Sequence, residues 1–592
     1  MKNEANRLAL QHLINAYIQE TGRGVLLGVH EQTTSQRMLS ADQTLLSIQL
    51  APLDIALAVP LSYVSVLGRH RLAAMPQVWS DQKWIALSPV AIAGILLEDI
   101  VQHTQSTVDA ASLLEKWVQS RDALIVFLEH RIGNIDAIFA PELSFVESEQ
   151  GLILGHAMHP SPKSRQGFVH ADFVNFSPET QGRCQLHFWL VHPDFVTEGS
   201  ADHELPSDQL KRQLQTFLTP MLRAQIEQYP TWKLLPLHPW QARFLMGQPL
   251  WKALHENQQI ISLGELGWQL FPSTSIRTLC GPAPWMFKPS LSVSITNSVR
   301  VNQHHECLRG EISCRLWRSP LGRFIQQQHR TLSAVNDPAW IALTWQGSVV
   351  SETICILRDN PFATQAQVTC MATLTQDHPL KAENRLTHIL QALALQTQLP
   401  IEQVASTWFT RFLEVAVQPM LSIYMQYGMA FEAHQQNTLL ELDALWPSRF
   451  WLRDNQGFYY IEEYAEKIIA LFPELTGKAE SVGPREFVDE RFIYYFFGNT
   501  IFGLINALGA TGFIHERTLI KQLQHCLIEQ QKIYPHSSLI QQLLEDDTLP
   551  YKGNLLTRLH ELDELTAPLE FQSVYIRIQN PLLHQKLEKI RA

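Results

Sequence analysis

The hydrophobic rhythm of the chain changes part-way along, and that change restricts the fold more than any other feature. From about Phe145 to Asp377 the apolar residues fall into short β-like runs (Cys184–Val191, 290–296 and 349–357) cut by prolines and glycines. After the His378-Pro379 turn the spacing becomes helical. Residues 404–427 read as a long helix, interrupted at Pro419, which has no N–H to offer, and stopped by Gly428. Short strands at 429–433 and 450–453 follow, then helices to near residue 565. The first 145 or so residues mix helical spacing with two apolar stretches, 85–97 and 123–128. At 592 residues the chain is too long for one core. The expectation is an α+β multi-domain protein: an N-terminal α/β lobe (1–145), a β-rich lobe (146–380), and a mainly helical lobe with a small sheet at its entrance (381–592).

The net charge of -11 is spread without long runs, which argues against a coat for nucleic acid or an anionic membrane. The N-terminus carries charges and amides where a signal peptide needs an apolar stretch, so it predicts an amphipathic first helix and a cytoplasmic protein. The apolar run at 90–97, closed by Pro89 and Glu98, is too short to cross a bilayer, and no membrane span is expected. Seven cysteines without CxxC pairing predict reduced, structural thiols.

Three segments carry chemistry. In 155–168 (GHAMHPSPKSRQGF), His159, Lys163 and Arg165 sit on a proline-stiffened loop suited to a polyphosphate; a solvated turn with histidine caps is the plainer alternative. In the second, Ser275, Arg277 and Thr278 precede Lys288 and a strand whose alternation places Ser292, Ser294 and Thr296 on one face. With Arg300 they predict a hydroxyl-lined cleft wall that binds phosphate or carboxylate, against the alternative of a strand with one wet face. In the third, Glu432, His434, Gln436 and Asn437, followed by Asp454, can assemble oxygen ligands for a nucleotide-bound Mg²⁺, leaving His434 for a substrate carboxyl. Taken alone this pattern also suits a buried histidine satisfied by amides. No P-loop, Rossmann or nucleophile-elbow motif is present, so a nucleotide would need an unusual cradle.

Taken in order, these segments together with Leu237-His238-Pro239-Trp240-Gln241, Trp451-Leu452-Arg453-Asp454, Tyr551-Lys552-Gly553-Asn554 and Asn580-Pro581-Leu582 resemble the NRPS-independent siderophore synthetases, the family of the aerobactin synthetases IucA and IucC. The resemblance spans nearly the whole chain. It implies a cradle of thumb, fingers and palm, with ATP between fingers and palm. It also implies an ATP- and Mg²⁺-dependent ligase that adenylates citrate or a citrate derivative and joins it to an amine or hydroxylamine-bearing polyamine, releasing AMP and pyrophosphate.

By the same resemblance, His159, Lys163, Arg165, Ser275, Arg277, Thr278 and Lys288 contact the nucleotide and its phosphates. Thr296, Arg300, His434 and Lys552 face the acid. Gln436, Asn437 and Asp454 bind nucleotide, and Glu432, Asn437 and Asp454 the metal, with Lys288, Arg300 and His434 as the catalytic group. His238 to Gln241 read as a turn and helix start around a buried tryptophan. The Phe431-Glu432-Ala433-His434 form points toward free citrate. Members of the family are often dimers. A kinase-like phosphotransferase and a non-catalytic siderophore-binding protein are the competing readings; the first would release ADP and the second would not consume ATP.

Overall fold

The computed structural model describes residues 1–27, 44–50, 55–80, 83–202, 204–363, 367–473, 481–559 and 574–583. The helix Lys2–Thr21 is buried on nearly every side: Leu10, Leu13 and Tyr17 are covered, and so are Asn6, Gln11, His12 and Asn15. It is therefore an internal strut, not the amphipathic helix expected. Two of its buried amides are tied to the sheet beside it: Gln11 accepts from the Leu72 N–H at 3.0 Å and Asn15 donates to the His70 carbonyl at 2.9 Å. The two apolar stretches become the helices Pro89–Thr104 and Ala110–Arg131. These helices pack with a six-stranded antiparallel sheet drawn from Val25–Leu27 to Lys83–Ile85, and Leu555 and Leu559 return from the far end of the chain to the same core.

A nine-stranded sheet dominates the middle of the chain and includes Cys184–Val191, as the alternation predicts. Register matters at one pair: Trp285–Pro289 runs antiparallel to Cys355–Asp359 with Met286 opposite Arg358 and Lys288 opposite Ile356. Lys288 and Arg358 thus share one face of the sheet, while Phe287, Cys355 and Leu357 enter the core on the other.

The largest core belongs to the helical part. The predicted 404–427 helix is Ile401–Phe412, a wider π-helical turn Leu413–Val417, then Gln418–Tyr427. The wide turn falls where the Pro419 ring would strike a regular helix. Gly428 ends the helix at φ 62°, and a Cβ there would lie 2.6 Å from the Tyr464 Cβ. Gly428→Ala is expected to cost about 1–3 kcal/mol, read as a lower urea midpoint.

Two small sheets, Leu332–Ala334 with Trp446–Leu452, Thr438–Asp443 and Val368–Cys370, and Met429–Phe431 with Phe458–Ile461 and Val482–Gly483, stand before the later helices. Among the described residues one helix, Arg485–Gly509, is long and apolar enough to cross a membrane, a feature the sequence reading missed; 89% of its most apolar window is buried inside the protein, as in a core helix. Its middle, Ile493–Ile501, is a second π-helical stretch. The last helix described is Asn554–Leu559; the expected continuation toward 565 lies outside the described residues. All seven cysteines are buried and unbridged.

Candidate functional site

One crevice collects the residues given a binding or catalytic role above: His159, Lys163, Arg165, Ser275, Arg277, Thr278, Lys288, Thr296, Arg300, Glu432, His434, Gln436, Asn437, Asp454 and Lys552 all line it. The segments that carry them are separated by up to several hundred residues in sequence, so the convergence is a product of the fold.

In the 155–168 loop, the Lys163 Nζ donates to Glu179 and to the Leu152 carbonyl, each at 2.6 Å. Arg165 donates to the same carboxylate at 2.5 Å and also to the Ser177 hydroxyl. Burial works to raise the Glu179 carboxyl, but Arg165 and Lys163 hold it down at about 2. These two cations therefore reach the crevice already sharing a counter-charge. His159 Nδ1 accepts from the Ser161 N–H, which leaves Nε2 to donate to Asn297 at 3.1 Å.

The 273–278 loop is tied to the 434–437 loop by a buried ion pair. Glu149 accepts from the Thr274 N–H and hydroxyl and pairs with Arg453 at 2.9 Å, and Arg453 also donates to the Gln436 carbonyl at 2.6 Å. Gln436 completes the link by donating to the Thr274 carbonyl at 2.8 Å. Arg277 donates to the Arg300 carbonyl at 3.1 Å.

The shared face of Lys288 and Arg358 converges on Asp454, at 2.5 and 3.1 Å, while Arg358 also grips Asp337 with two donors. Burial would raise the Asp454 carboxyl; Lys288 and Arg358 hold it far below the ordinary range. Asp454 follows the end of its strand in the left-handed region at φ 72°, and Ile276 and Thr296, also on the crevice, have φ of 70° and 53°. Such strain in residues other than glycine gathers where function requires a fixed geometry. Glu432 accepts from Tyr459 at 2.5 Å, and burial raises its carboxyl.

The expected hydroxyl wall is not the wall of the crevice. Leu291, Val293 and Ile295 are buried as the alternation requires, in a cluster with Ile276. Of the three hydroxyls, however, only Thr296 lines the crevice. Ser292 is held by Gln241, which accepts its N–H at 2.8 Å and donates to its hydroxyl at 3.0 Å. The crevice is reached only where the strand ends and the chain turns through Thr296, whose hydroxyl takes a 2.7 Å bond from Arg300. His238 caps the helix Pro239–Met246 by accepting the Trp240 N–H at 3.1 Å, the expected helix start, with Trp240 half-buried.

His434 Nδ1 accepts from the N–H groups of Gln436 and Asn437 at 3.2 and 3.3 Å, so its proton sits on Nε2, and its ring lies 5.8 Å from that of Tyr495. Sequence reasoning missed Glu306, Arg309, Arg358, Tyr494, Tyr495 and Asn499, which also line the crevice, as does His156 of the 155–168 loop. Arg358 had a legible signal, a charge at an inward-alternating position of a strand. The tyrosines sit in an apolar run that reads as core.

Glu432, Asn437 and Asp454 offer the oxygen donors a hard divalent ion prefers. Among the described residues, the one close trio of metal-type side chains is Asp136, His378 and Glu383, outside the crevice. There His378 accepts the Leu380 N–H on Nδ1 and donates from Nε2 to Asp136 at 3.0 Å, which leaves no lone pair for an ion.

Clustered cations, hydroxyls and carboxylates around one crevice suit polyanionic ligands. Sequence comparison takes this further. The profile of the IucA / IucC family matches residues 144–376, and that of the ferric iron reductase FhuF-like transporters matches residues 406–567. The chain is 32% identical to the spermidine-citrate ligase of Bacillus anthracis, over 99% of this chain and 98% of that one. It is 33% identical to the rhizobactin siderophore biosynthesis protein RhbC of Rhizobium meliloti, over 91% and 92%. The structure matches that of ATP-bound aerobactin synthetase IucA from Klebsiella pneumoniae with a TM-score of 0.87 at 25% identity, covering 97% of this chain and 99% of that one. The protein belongs to the IucA / IucC family of siderophore synthetases.

Proposed function

We propose that the protein is an ATP-dependent ligase that activates citrate, or a citrate derivative, as its acyl-adenylate and condenses it with an amine to build a siderophore. The observation that carries this reading is the meeting of Lys288, Arg300, His434 and Asp454 in one crevice. Relatives named as citrate ligases with different amines, and a neighbour solved with ATP, support it. In this reading residues 1–145, 146–380 and 381–592 act as thumb, fingers and palm.

A carboxylate resists amines because its leaving group would be oxide. In the first step a substrate carboxylate oxygen attacks the α-phosphorus of ATP, the bond to the β-phosphate oxygen breaks, and pyrophosphate departs. Negative charge grows on the phosphates, so positioning and fixed cations matter more than a strong base. Arg277 and Lys288 face the phosphates, with His159, Lys163, Arg165, Ser275 and Thr278 around them. Arg300, Thr296, Lys552 and the Nε2–H of His434 hold the acid. Gln436 and Asn437 contact the nucleotide, and Glu432, Asn437 and Asp454 would hold the Mg²⁺ carried by ATP, which would neutralise phosphate charge. In the second step the amine nitrogen attacks the acyl carbon, loses a proton, and AMP leaves, forming the C–N bond.

The test is a screen of citrate, its monoamides, 2-oxoglutarate and succinate with an amine panel, following nucleotide products and amide mass. AMP, pyrophosphate and a citryl amide are expected. ADP as the product would favour a phosphotransferase, and no ATP consumption with any pair would favour a binding protein.

A further inference from the structure

We propose that Arg69 is a positioning residue for the acid end of the crevice, acting from outside it through the widened helical stretch Ile493–Ile501 and Asn499. This rests on the reading that His434 meets the acid.

Among the described residues, none before Leu152 lines the crevice. The turn around residues 65–70 nevertheless presses on it. Arg69 is buried, and its Nη2 donates to the carbonyls of Gly498 and Asn499, each at 3.2 Å. A side chain placed against helical carbonyls is one of the insertions that distort a helix locally, and these carbonyls lie in the π-helical stretch.

The residue so held joins two crevice loops. Asn499 accepts the Gln435 N–H at 2.9 Å, next to His434, and its amide nitrogen meets His156 Nε2 at 2.8 Å. The Gln435 and Arg69 side chains then meet over Gly503, where a Cβ would lie 2.1 Å from Gln435 Nε2 and 2.4 Å from Arg69 Nη1.

The base of Arg69 is itself clamped. Asn506 donates to its carbonyl at 3.2 Å. Glu516 accepts from Tyr63, from the Ser65 hydroxyl and from the Val66 N–H at 2.7 to 2.9 Å. Asn15 brackets His70 from the first helix. A guanidinium anchored this firmly fixes where Asn499 sits, and Asn499 fixes the backbone beside His434. The phosphate end has its own ties through Asp454 and Glu179 and, among the described residues, meets Asn499 only at His156.

The experiment compares Arg69→Ala, Arg69→Lys and Gly503→Ala with wild type in citrate-dependent pyrophosphate release. Wild-type activity establishes the underlying reading, and its absence would sink that reading by itself. Given an active wild type, Arg69→Ala is expected to raise the KM for citrate about tenfold or more and to lower kcat, with the KM for ATP within about twofold of wild type; the lysine variant recovers part of the loss. Gly503→Ala gains helix propensity but pushes the ends of the Gln435 and Arg69 side chains off their partners, so it should melt only modestly lower than wild type yet show the same selective rise in citrate KM. Unchanged KM for both substrates with a lower kcat alone, or a wild-type citrate KM in Gly503→Ala, would overturn the proposal. Should Arg69→Ala fail to fold, Gly503→Ala decides.

Discussion

Arg300→Ala is expected to lower kcat/KM for acid-dependent ATP consumption by about 10²–10³-fold while the protein stays folded. The fold survives because the bonds that Arg300 donates to the Thr296 hydroxyl at 2.7 Å and the Ile295 carbonyl at 3.0 Å lie at a strand end that water can reach. Under the proposed mechanism activity does not survive, because the guanidinium is then the charge set where two anions must approach each other. His434→Ala belongs with it. It leaves two backbone N–H groups without their acceptor, at a cost of about 1–2 kcal/mol, and removes the Nε2–H donor from the acid end. Steady-state kinetics beside a thermal melt measures both effects. Near-normal turnover in the two variants would remove the basis for the site.

Glu179→Gln is expected to be the most destabilising conservative change in the crevice, by about 3–5 kcal/mol at pH 7. The exchange keeps the shape but strands Lys163 and Arg165, both buried, without their shared counter-charge. Lys163, which burial pulls down to about 8, limits the damage by releasing its proton. The pH dependence has a definite sign. The Glu179 carboxyl sits at about 2 when folded and near the ordinary glutamate value of about 4.3 when unfolded, so its contribution is present above pH ~4.3 and fades as pH falls toward 2. Urea titrations should therefore show the gap between variant and wild type widest at neutral pH and narrowing on acidification. A gap independent of pH would mean that Glu179 acts through packing alone.

Much of this was legible in the sequence, for identifiable reasons. Alternation located the strand Cys184–Val191, and Pro419 and Gly428 marked the break and end of the long helix. The charged and hydroxyl residue types in 155–168, 273–278 and 431–437 announced polyanion chemistry, and all the residues chosen from them line one crevice. What pattern cannot supply is which counter-charge arrives from elsewhere. Glu179 neutralises the loop cations and Arg358 shares Asp454 with Lys288, and both partners depend on tertiary placement. The hydroxyl wall failed for a related reason. Alternation says that Ser292 and Ser294 share a face, but only packing decides that Gln241 lies across Ser292. Tyr494, Tyr495 and Asn499 were hidden inside an apolar run because the π-helical turn that aims them leaves no trace in period.

Citrate-dependent exchange of labelled pyrophosphate into ATP, with no amine present, tests the account at its centre. If the crevice grips triphosphate and acid together, exchange appears with wild type, needs the acid, and is lost in Arg300→Ala. Exchange that proceeds equally without any acid, or its absence while ADP accumulates, would contradict acyl-adenylate formation at this site.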